Sequence, residues 1–185
     1  SNTSLFGDGL TIKATLNPFF QKLAVKALRS ELSEFDRSTG IYRGAITNVG
    51  VSQLDSDELL ISTLSSINNL NRVNNWRLAV VKKLFKKTAV VLIRDLTDRI
   101  SEQTVDLEDN KWVKKVILND GIVKKPERSS DLWSVGDVIY VKELKNSSNK
   151  EKIWELQQVP EIQGALVVME PNSGNVLALQ GGFSF

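Results

Sequence analysis

One serine and lysine pair has the spacing of a known nucleophile. Ser147 and Lys150 are separated by two residues, which is the Ser-x-x-Lys pattern in which a lysine one helical turn away activates a serine for acyl transfer. That chemistry needs a helix and a dry pocket around the pair. The stretch from Lys145 to Asn149 is instead a polar, asparagine-rich turn, so we expect the pair to be a chance match.

Two further sequence motifs known from serine acyl-transfer enzymes are matched only weakly. Ser66-Ile67-Asn68 matches a Ser-x-Asn pattern, which is too short to carry weight. Lys87-Thr88-Ala89 has alanine where the Lys-Thr-Gly pattern needs glycine, and a methyl group there would crowd a substrate strand. Neither fragment is expected to be a site.

The chain contains no cysteine and no histidine. This composition excludes zinc sites built on thiolates and imidazoles, a Ser-His-Asp triad, a cysteine nucleophile and any disulfide. The carboxylate pairs Asp106/Glu108 and Asp55/Asp57 lie in turn-like sequence without surroundings that would raise a pKa. We therefore expect these carboxylates to be solvated rather than catalytic, and we expect no metal and no cofactor.

The densest basic cluster lies at a predicted hairpin and contains four lysines: Lys82, Lys83, Lys86 and Lys87. Such a cluster can grip a polyanion, and single-stranded nucleic-acid binding stays open as an alternative function. A solvated hairpin tip, where lysine discourages edge pairing, is the simpler interpretation. The nearby aromatic residues do not interleave with the lysines as a stacking surface would.

Four tryptophans lie on separate predicted elements: Trp76, Trp112, Trp133 and Trp154. They could form an aromatic ligand surface, but tryptophans spread over the strands of a small barrel are more often core residues. We expect them to be buried or half-buried.

The composition is that of an ordinary globular chain. It has 185 residues, 41% of them hydrophobic and 25% charged, with a net charge of +2. No apolar run approaches the roughly 20 residues that a membrane-spanning helix needs. We expect no membrane contact by this chain and, from the small net charge, no general affinity for nucleic acid.

The first part of the chain predicts a strand and then a helix. Leu10–Leu16 alternates apolar and polar residues, as a half-buried strand does. Asn17 and Pro18 are a helix cap and a favoured first helical residue, and an apolar stripe continues to Phe35. Weaker patterns predict a short strand over Ala45–Val49 and a modest second helix containing Leu59, Leu60, Leu64 and Ile67.

The central part has the two-residue period of strands. Five segments rich in β-branched residues are separated by turn-like clusters: Trp76–Leu84, Ala89–Asp95, Ile100–Leu107, Asp137–Leu144 and Ile153–Gln158. This pattern predicts an α+β chain with a small, closed or nearly closed five-stranded β-barrel of the OB type, carrying an insertion over residues 111–134. We divide the chain into a linker (1–70), the barrel (71–160) and a C-terminal hairpin region (161–185).

The hairpin is predicted from two strands, Ala165–Glu170 and Asn175–Gln180, around the turn Pro171-Asn172-Ser173-Gly174. Phe183 and Phe185 follow, and two exposed phenylalanines at a free end favour a chain cut from a longer one.

Both ends resemble the class A penicillin-binding proteins of the 1A type. The resemblance at the start rests on Gly9–Pro18 with Gln21 and Ala24, and then on Asp36-Arg37 and Tyr42-Arg43-Gly44. The end is similar to the entry into that family's transpeptidase domain, on these residues: Gln158–Val167, Pro171, Gly174, Val176–Leu179 and Gly181–Phe183.

Between the two ends, three stretches are similar to the family's OB-like insert: Trp76, Val135–Val138 and Leu156–Gln158. Two positions depart from the family pattern, because Asn17 stands where an aspartate is usual and Ala14 where a threonine is usual.

The resemblance implies a parent that polymerises lipid-linked disaccharide and cross-links stem peptides in the periplasm, anchored in the bacterial inner membrane. It implies that the catalytic Ser-x-x-Lys of the family lies beyond this hairpin, so no catalytic residue is carried over to this chain. The implied role is non-catalytic: the barrel spaces the glycosyltransferase and transpeptidase domains and offers a docking surface, with an outer-membrane lipoprotein activator as the expected partner.

The linker and the hairpin should meet, because the barrel is read as an insertion between them. We expect the strand Leu10–Leu16 and the helix Pro18–Phe35 to pack near the hairpin Ala165–Gln180. A free-standing acyl-serine enzyme using Ser147 and Lys150 is the third hypothesis, which labelling by a fluorescent penicillin would favour.

Overall fold

The computed structural model describes residues 13–67, 75–94, 99–117, 121, 123–144 and 152–184. Its first helix is α1 (Pro18–Ser38). The helix is capped by Asn17, whose side chain accepts a hydrogen bond from the Phe19 amide at 2.9 Å. This confirms the predicted helix, which continues three residues beyond Phe35. By contrast, no strand is found over residues 13–16, so the predicted strand Leu10–Leu16 is wrong there, and its first three residues lie outside the described ranges.

Two short strands and a second helix follow. Strand β1 (Ile41–Tyr42) and strand β2 (Thr47–Asn48) precede a 3₁₀ turn over Val51–Asp55. Helix α2 (Asp57–Ser66) begins at Ser56, whose side chain caps it. The structure thus confirms the short strand predicted within Ala45–Val49 and the second helix, because α2 contains three of the four residues on which it was predicted.

The remaining strands of the described residues are, in chain order, β3 (Trp76–Leu84), β4 (Thr88–Arg94), β5 (Ile100–Asp106), β6 (Lys115–Ile117), β7 (Val123–Lys124), β8 (Asp137–Leu144), β9 (Ile153–Gln157), β10 (Ala165–Met169) and β11 (Val176–Gly181). All five predicted barrel strands are confirmed as β3, β4, β5, β8 and β9. Alternation of β-branched residues located them to within one residue at each end.

These five strands form one antiparallel sheet in the order β9-β8-β3-β4-β5, and β2 pairs with β8 on the same edge as β9. The α+β class is confirmed, but the sheet is not closed, because the described residues of β5 and β9 share no ladder. Trp154 of β9 instead donates its indole N–H to the side-chain oxygen of Gln103 in β5 at 3.0 Å. A side-chain contact thus crosses the seam that a closed barrel would fill with backbone pairing.

Strands β3 and β8 are buried on both faces. Ala79 and Val81 of β3 face the inside of the curved sheet, where they pack with Trp133, Trp154 and residues of β4 and β8. The alternate residues of the two strands face outwards into a second apolar cluster, which includes α1 and α2: Trp76, Leu78, Val80, Val138 and Tyr140. Because successive side chains of a strand point to opposite faces, each of these strands contributes to two separate apolar cores.

The insertion over residues 111–134 contributes to the inner core. Its strand β6 pairs in parallel with β1 and antiparallel with β7. Leu132 and Trp133 are buried in the inner cluster, and the Ser129 hydroxyl is hydrogen-bonded to the carbonyl of Phe85. The insertion is therefore packed against the barrel.

The C-terminal hairpin forms as predicted. Strands β10 and β11 pair antiparallel around a turn in which Gly174 has φ 72°, a conformation that favours glycine. No helix among the described residues is long and apolar enough to span a membrane.

Candidate interdomain junction

The junction consists of α1, the outer face of the barrel and the hairpin β10–β11, and its centre is Phe183. That side chain is 2% exposed. Its ring lies 5.3 Å from the indole of Trp76, which in turn lies 5.5 Å from the ring of Tyr140. The expectation that Phe183 is exposed is therefore wrong, because the barrel itself provides an aromatic site for it; Phe185 lies outside the described residues.

Helix α1 also packs against this aromatic centre. Leu28 and Leu32 belong to the same apolar cluster as Phe183. Gly164, just before β10, lies so close to them that a Cβ there would stand 3.3 Å from Leu32 and 3.4 Å from Leu28. A glycine at this position lets the hairpin approach the helix closely.

The free edge of β11 is hydrogen-bonded to the start of α1. The Gln21 side chain donates to the carbonyl of Leu179 and accepts from its amide, both at 3.0 Å. The backbone amide of Asn17 donates to Leu177 at 2.8 Å, and the Thr15 hydroxyl donates to Val176 at 2.7 Å. These bonds occupy a strand edge that would otherwise present unpaired backbone groups. The expected packing of the helix near the hairpin is confirmed.

A buried carboxylate joins the end of α1 to the exit of the barrel. Asp36 accepts hydrogen bonds at 2.8 Å from the guanidinium of Arg43 and from the side-chain amide of Gln158. Arg43 also donates to the carbonyl of Val159 at 2.8 Å, and Gln158 donates to that of Ile41. Since a charge buried without partners is costly, this network holds the two connecting segments in one arrangement.

A second ion pair lies beside the first. Arg37 forms a two-point salt bridge with Glu155 of β9, and its guanidinium lies 5.5 Å from the centre of the Trp112 ring. The amide of Gln157 also donates to Glu155 at 2.7 Å. Two consecutive residues at the end of α1 thus bind neighbouring parts of the chain, because Arg37 pairs with the barrel strand β9 and Asp36 binds Gln158, which follows it.

Tyr42 anchors the same region from within the inner core. It is fully buried, and its hydroxyl accepts a hydrogen bond from the Trp133 indole at 3.2 Å. Burial raises the pKa of Tyr42 well above its ordinary value, the bond from Trp133 opposes this, and the negative charge of Asp137 adds to it. The phenol is therefore held neutral.

The described residues of the sequence motifs that could do chemistry take no part in the hydrogen bonds of this junction. Ser147, Lys150 and Asn68 lie outside the described residues. Lys87 is exposed and paired with Glu108 at 2.6 Å, which raises the pKa of Lys87 and lowers that of Glu108.

The basic cluster and the tryptophans have structural partners. Lys82 pairs with Glu102, so two of the four clustered lysines, Lys82 and Lys87, are neutralised by carboxylates. Trp76, Trp133 and Trp154 are buried and Trp112 is half-buried, as expected for core residues. The described residues contain no group of three acidic side chains placed to hold a metal ion.

The sequence reasoning did not identify the network around Asp36. Its members Asp36, Arg43 and Gln158 were recognised only as parts of family-like stretches. No spacing rule could connect them, because the bond from Gln158 to Asp36 joins residues 122 positions apart.

Comparisons with known proteins agree with this architecture. The model of the family described as penicillin-binding protein OB-like domain matches residues 42–162. The chain is 33% identical over its whole length to penicillin-binding protein 1A of Rickettsia felis, and 27% and 24% identical over 98% and 97% of its length to those of Escherichia coli and Pseudomonas aeruginosa. It spans 20% of the length of each of these relatives. The chain belongs to the penicillin-binding protein OB-like domain family.

Proposed function

We propose that this chain is a non-catalytic spacer and docking module of a bifunctional peptidoglycan synthase. Two findings support the proposal: the family match over residues 42–162, and relatives named penicillin-binding protein 1A that align with the whole chain. The parent would carry glycosyltransferase and penicillin-sensitive transpeptidase activities, and would act in the periplasm from an anchor in the inner membrane.

The observation that carries the spacer role is the shared apolar core around Phe183. Residues from α1, α2, the outer face of the barrel and the end of the hairpin belong to one cluster. The buried Asp36 network fixes the same segments by hydrogen bonds. A module built in this way transmits a fixed orientation from the segment that enters the barrel to the segment that leaves it.

The docking role is supported by one face of β5, which carries exposed side chains. Glu102 and Thr104, which are two residues apart and therefore lie on the same face of this strand, are exposed. We propose that an outer-membrane lipoprotein activator docks on the barrel, while the module itself makes no contact with membrane or nucleic acid. Nucleic-acid binding is not carried forward as a second function, since Lys82 and Lys87 are paired with carboxylates.

Competition tests this function directly. The rate of glycan polymerisation by a full-length 1A synthase is measured with its lipoprotein activator, with and without an excess of the purified chain. If the module docks the activator, the chain sequesters it and the activated rate falls towards the basal rate. An activated rate that excess chain leaves unchanged would contradict the docking role, and the basal rate without activator is the control.

Labelling by a fluorescent penicillin tests the non-catalytic part. We expect no covalent labelling of the purified chain, whereas the full-length synthase is labelled in the same reaction. Labelling of the chain would overturn this part and favour the Ser147 and Lys150 enzyme hypothesis.

A further inference from the structure

A groove of about 760 Å³ lies between α1 and the barrel, beside Asn75. The described residues of its lining include four cations and no carboxylate: Lys22, Lys26, Arg29 and Lys142. The first three lie on one face of α1, because they follow one another at spacings of four and three residues. Lys142 faces them from β8.

The charges in this groove are not neutralised by neighbouring side chains. Within the described ranges, none of the three lysines has an ion-pair partner. Arg29 donates its Nε–H to the carbonyl of Phe183 at 2.8 Å, a neutral acceptor that leaves its charge uncompensated. A concave surface with charge of one sign attracts a ligand of the opposite sign.

The rest of the lining indicates what kind of anion fits. None of the described lining residues is aromatic, so this part of the groove offers no stacking surface of the kind on which single-stranded nucleic-acid sites depend. Val25 and Pro18 are apolar lining residues, and lysine stems add further apolar surface. On the adjacent face of α1, Phe19 and Leu23 are exposed. A ligand that carries both carboxylates and apolar side chains matches this surface best.

We propose that this groove binds an acidic segment of a partner protein, in which Asp or Glu residues alternate with apolar ones. The proposal rests on the proposed docking function and adds a second contact, on the linker helix and separate from the exposed face of β5. The lysines supply attraction to the carboxylates, and the apolar lining residues Pro18 and Val25 receive the apolar side chains. Affinity should fall as salt rises, because exposed charges are screened within about 10 Å at 0.1 M.

The test uses the purified chain and a fluorescein-labelled peptide of Glu-Glu-Leu repeats, with fluorescence anisotropy as the readout. A hyaluronate oligosaccharide and an oligothymidylate of similar charge are the competing probes. We expect salt-sensitive binding of the peptide, and weaker binding of the other two probes. Absence of peptide binding, or tighter binding of the glycan or the oligonucleotide, overturns the proposal.

Paired charge reversals locate the site. We expect Lys22→Glu with Lys26→Glu to weaken peptide binding by more than about ten-fold. Lys83→Glu with Lys86→Glu, the same change in the hairpin cluster, should change it by less than about two-fold. Equal losses in both variants would show only a general charge effect and would overturn the assignment. If the first variant unfolds, Lys22→Gln with Lys26→Gln removes the charges without reversing them.

The peptide experiment and the activator competition test different claims, so either one can fail without the other. Peptide binding measures the groove alone and needs no synthase. If the peptide binds but the activator competition fails, the docking role is contradicted while the groove remains; if the competition succeeds without peptide binding, only the groove is wrong.

Discussion

The ring of Phe183 lies 5.3 Å from the indole of Trp76, although 107 positions separate them in the chain. This contact joins a residue just beyond the hairpin to the first residue of β3. Leu28 and Leu32 of α1 belong to the same cluster. The stability of the chain therefore depends on a contact among three regions that the sequence presents as separate.

Loss of the Phe183 ring should destabilise the whole chain. Phe183→Ala leaves a cavity beside Trp76, and we expect the free energy of unfolding to fall by about 3–5 kcal/mol, as for other buried phenylalanines. Urea unfolding followed by tryptophan fluorescence measures it. Phe19→Ala is the matched control, because Phe19 is 65% exposed, and should change stability by less than about 0.5 kcal/mol. Similar losses in both variants would contradict the central role of Phe183.

Neutralising Asp36 should cost more than breaking a surface pair. In Asp36→Asn the guanidinium of Arg43 loses its buried counter-charge, and we expect a loss of about 2–4 kcal/mol in the free energy of unfolding. Glu102→Gln, which breaks the exposed pair with Lys82, should cost less than about 1 kcal/mol. The two urea midpoints, measured in the same buffer, make the comparison. A smaller effect for Asp36→Asn than for Glu102→Gln would mean that the network does not hold the junction.

Stability should fall at high pH because of Tyr42. Its pKa is raised in the folded chain by burial, whereas in the unfolded chain it is about 10. The folded state therefore keeps the proton longer, so this contribution is fully present below pH 10 and is lost as the pH rises above 10. Unfolding free energies at several pH values from 9 to 11.5 measure it.

Tyr42→Phe is the control for this pH dependence. It removes the phenol, so the decline above pH 10 should become shallower by up to about 1.4 kcal/mol per pH unit. Lysine ionisation contributes equally to both proteins and cancels in the difference. Identical slopes for the two proteins would show that Tyr42 ionises as readily when folded as when unfolded.

The Gln21 side chain should protect one backbone amide. Gln21→Ala removes the acceptor of the Leu179 N–H while keeping a good helix former at that position. Hydrogen exchange of the Leu179 amide, read by NMR, should accelerate by about ten-fold, the factor that corresponds to ~1.4 kcal/mol. Lys22→Ala, one residue along, should leave that amide unchanged. An unchanged exchange rate in Gln21→Ala would indicate that the bond is not formed in solution.

Local pattern was sufficient for the regular elements and not for their assembly. The bounds of β3 and β8 were predicted to the residue because long β-branched runs have a strong two-residue period. The strands β6 and β7 have three and two residues, too few for any period to be detected. Residues 13–16 were predicted to belong to a strand, but the Thr15 side chain and the amide of the following Asn17 bond to β11 without forming a ladder.

The junction could not be predicted because it depends on distant contacts. The burial of Phe183 requires the outer face of the barrel, and the sequence alone does not show that β3 is apolar on both faces for this reason. The roles of Asp36 and Gln158 likewise require knowing that the chain returns to the end of α1 after the barrel. By contrast, the burial or half-burial of the four tryptophans was predicted correctly from the strand pattern alone.

The division of the chain into 1–70, 71–160 and 161–185 stays a prediction. Because β3 and β8 are buried on both faces, residues 71–160 could not be separated from the rest of the chain without exposing one of those faces. If only residues 71–160 were grafted into another protein, Trp76, Leu78 and Tyr140 would lose the helix and the phenylalanine that cover them. The grafted segment would expose a contiguous apolar surface and would therefore tend to aggregate. The smallest portable cassette is therefore the barrel together with α1, α2 and the hairpin through Phe183.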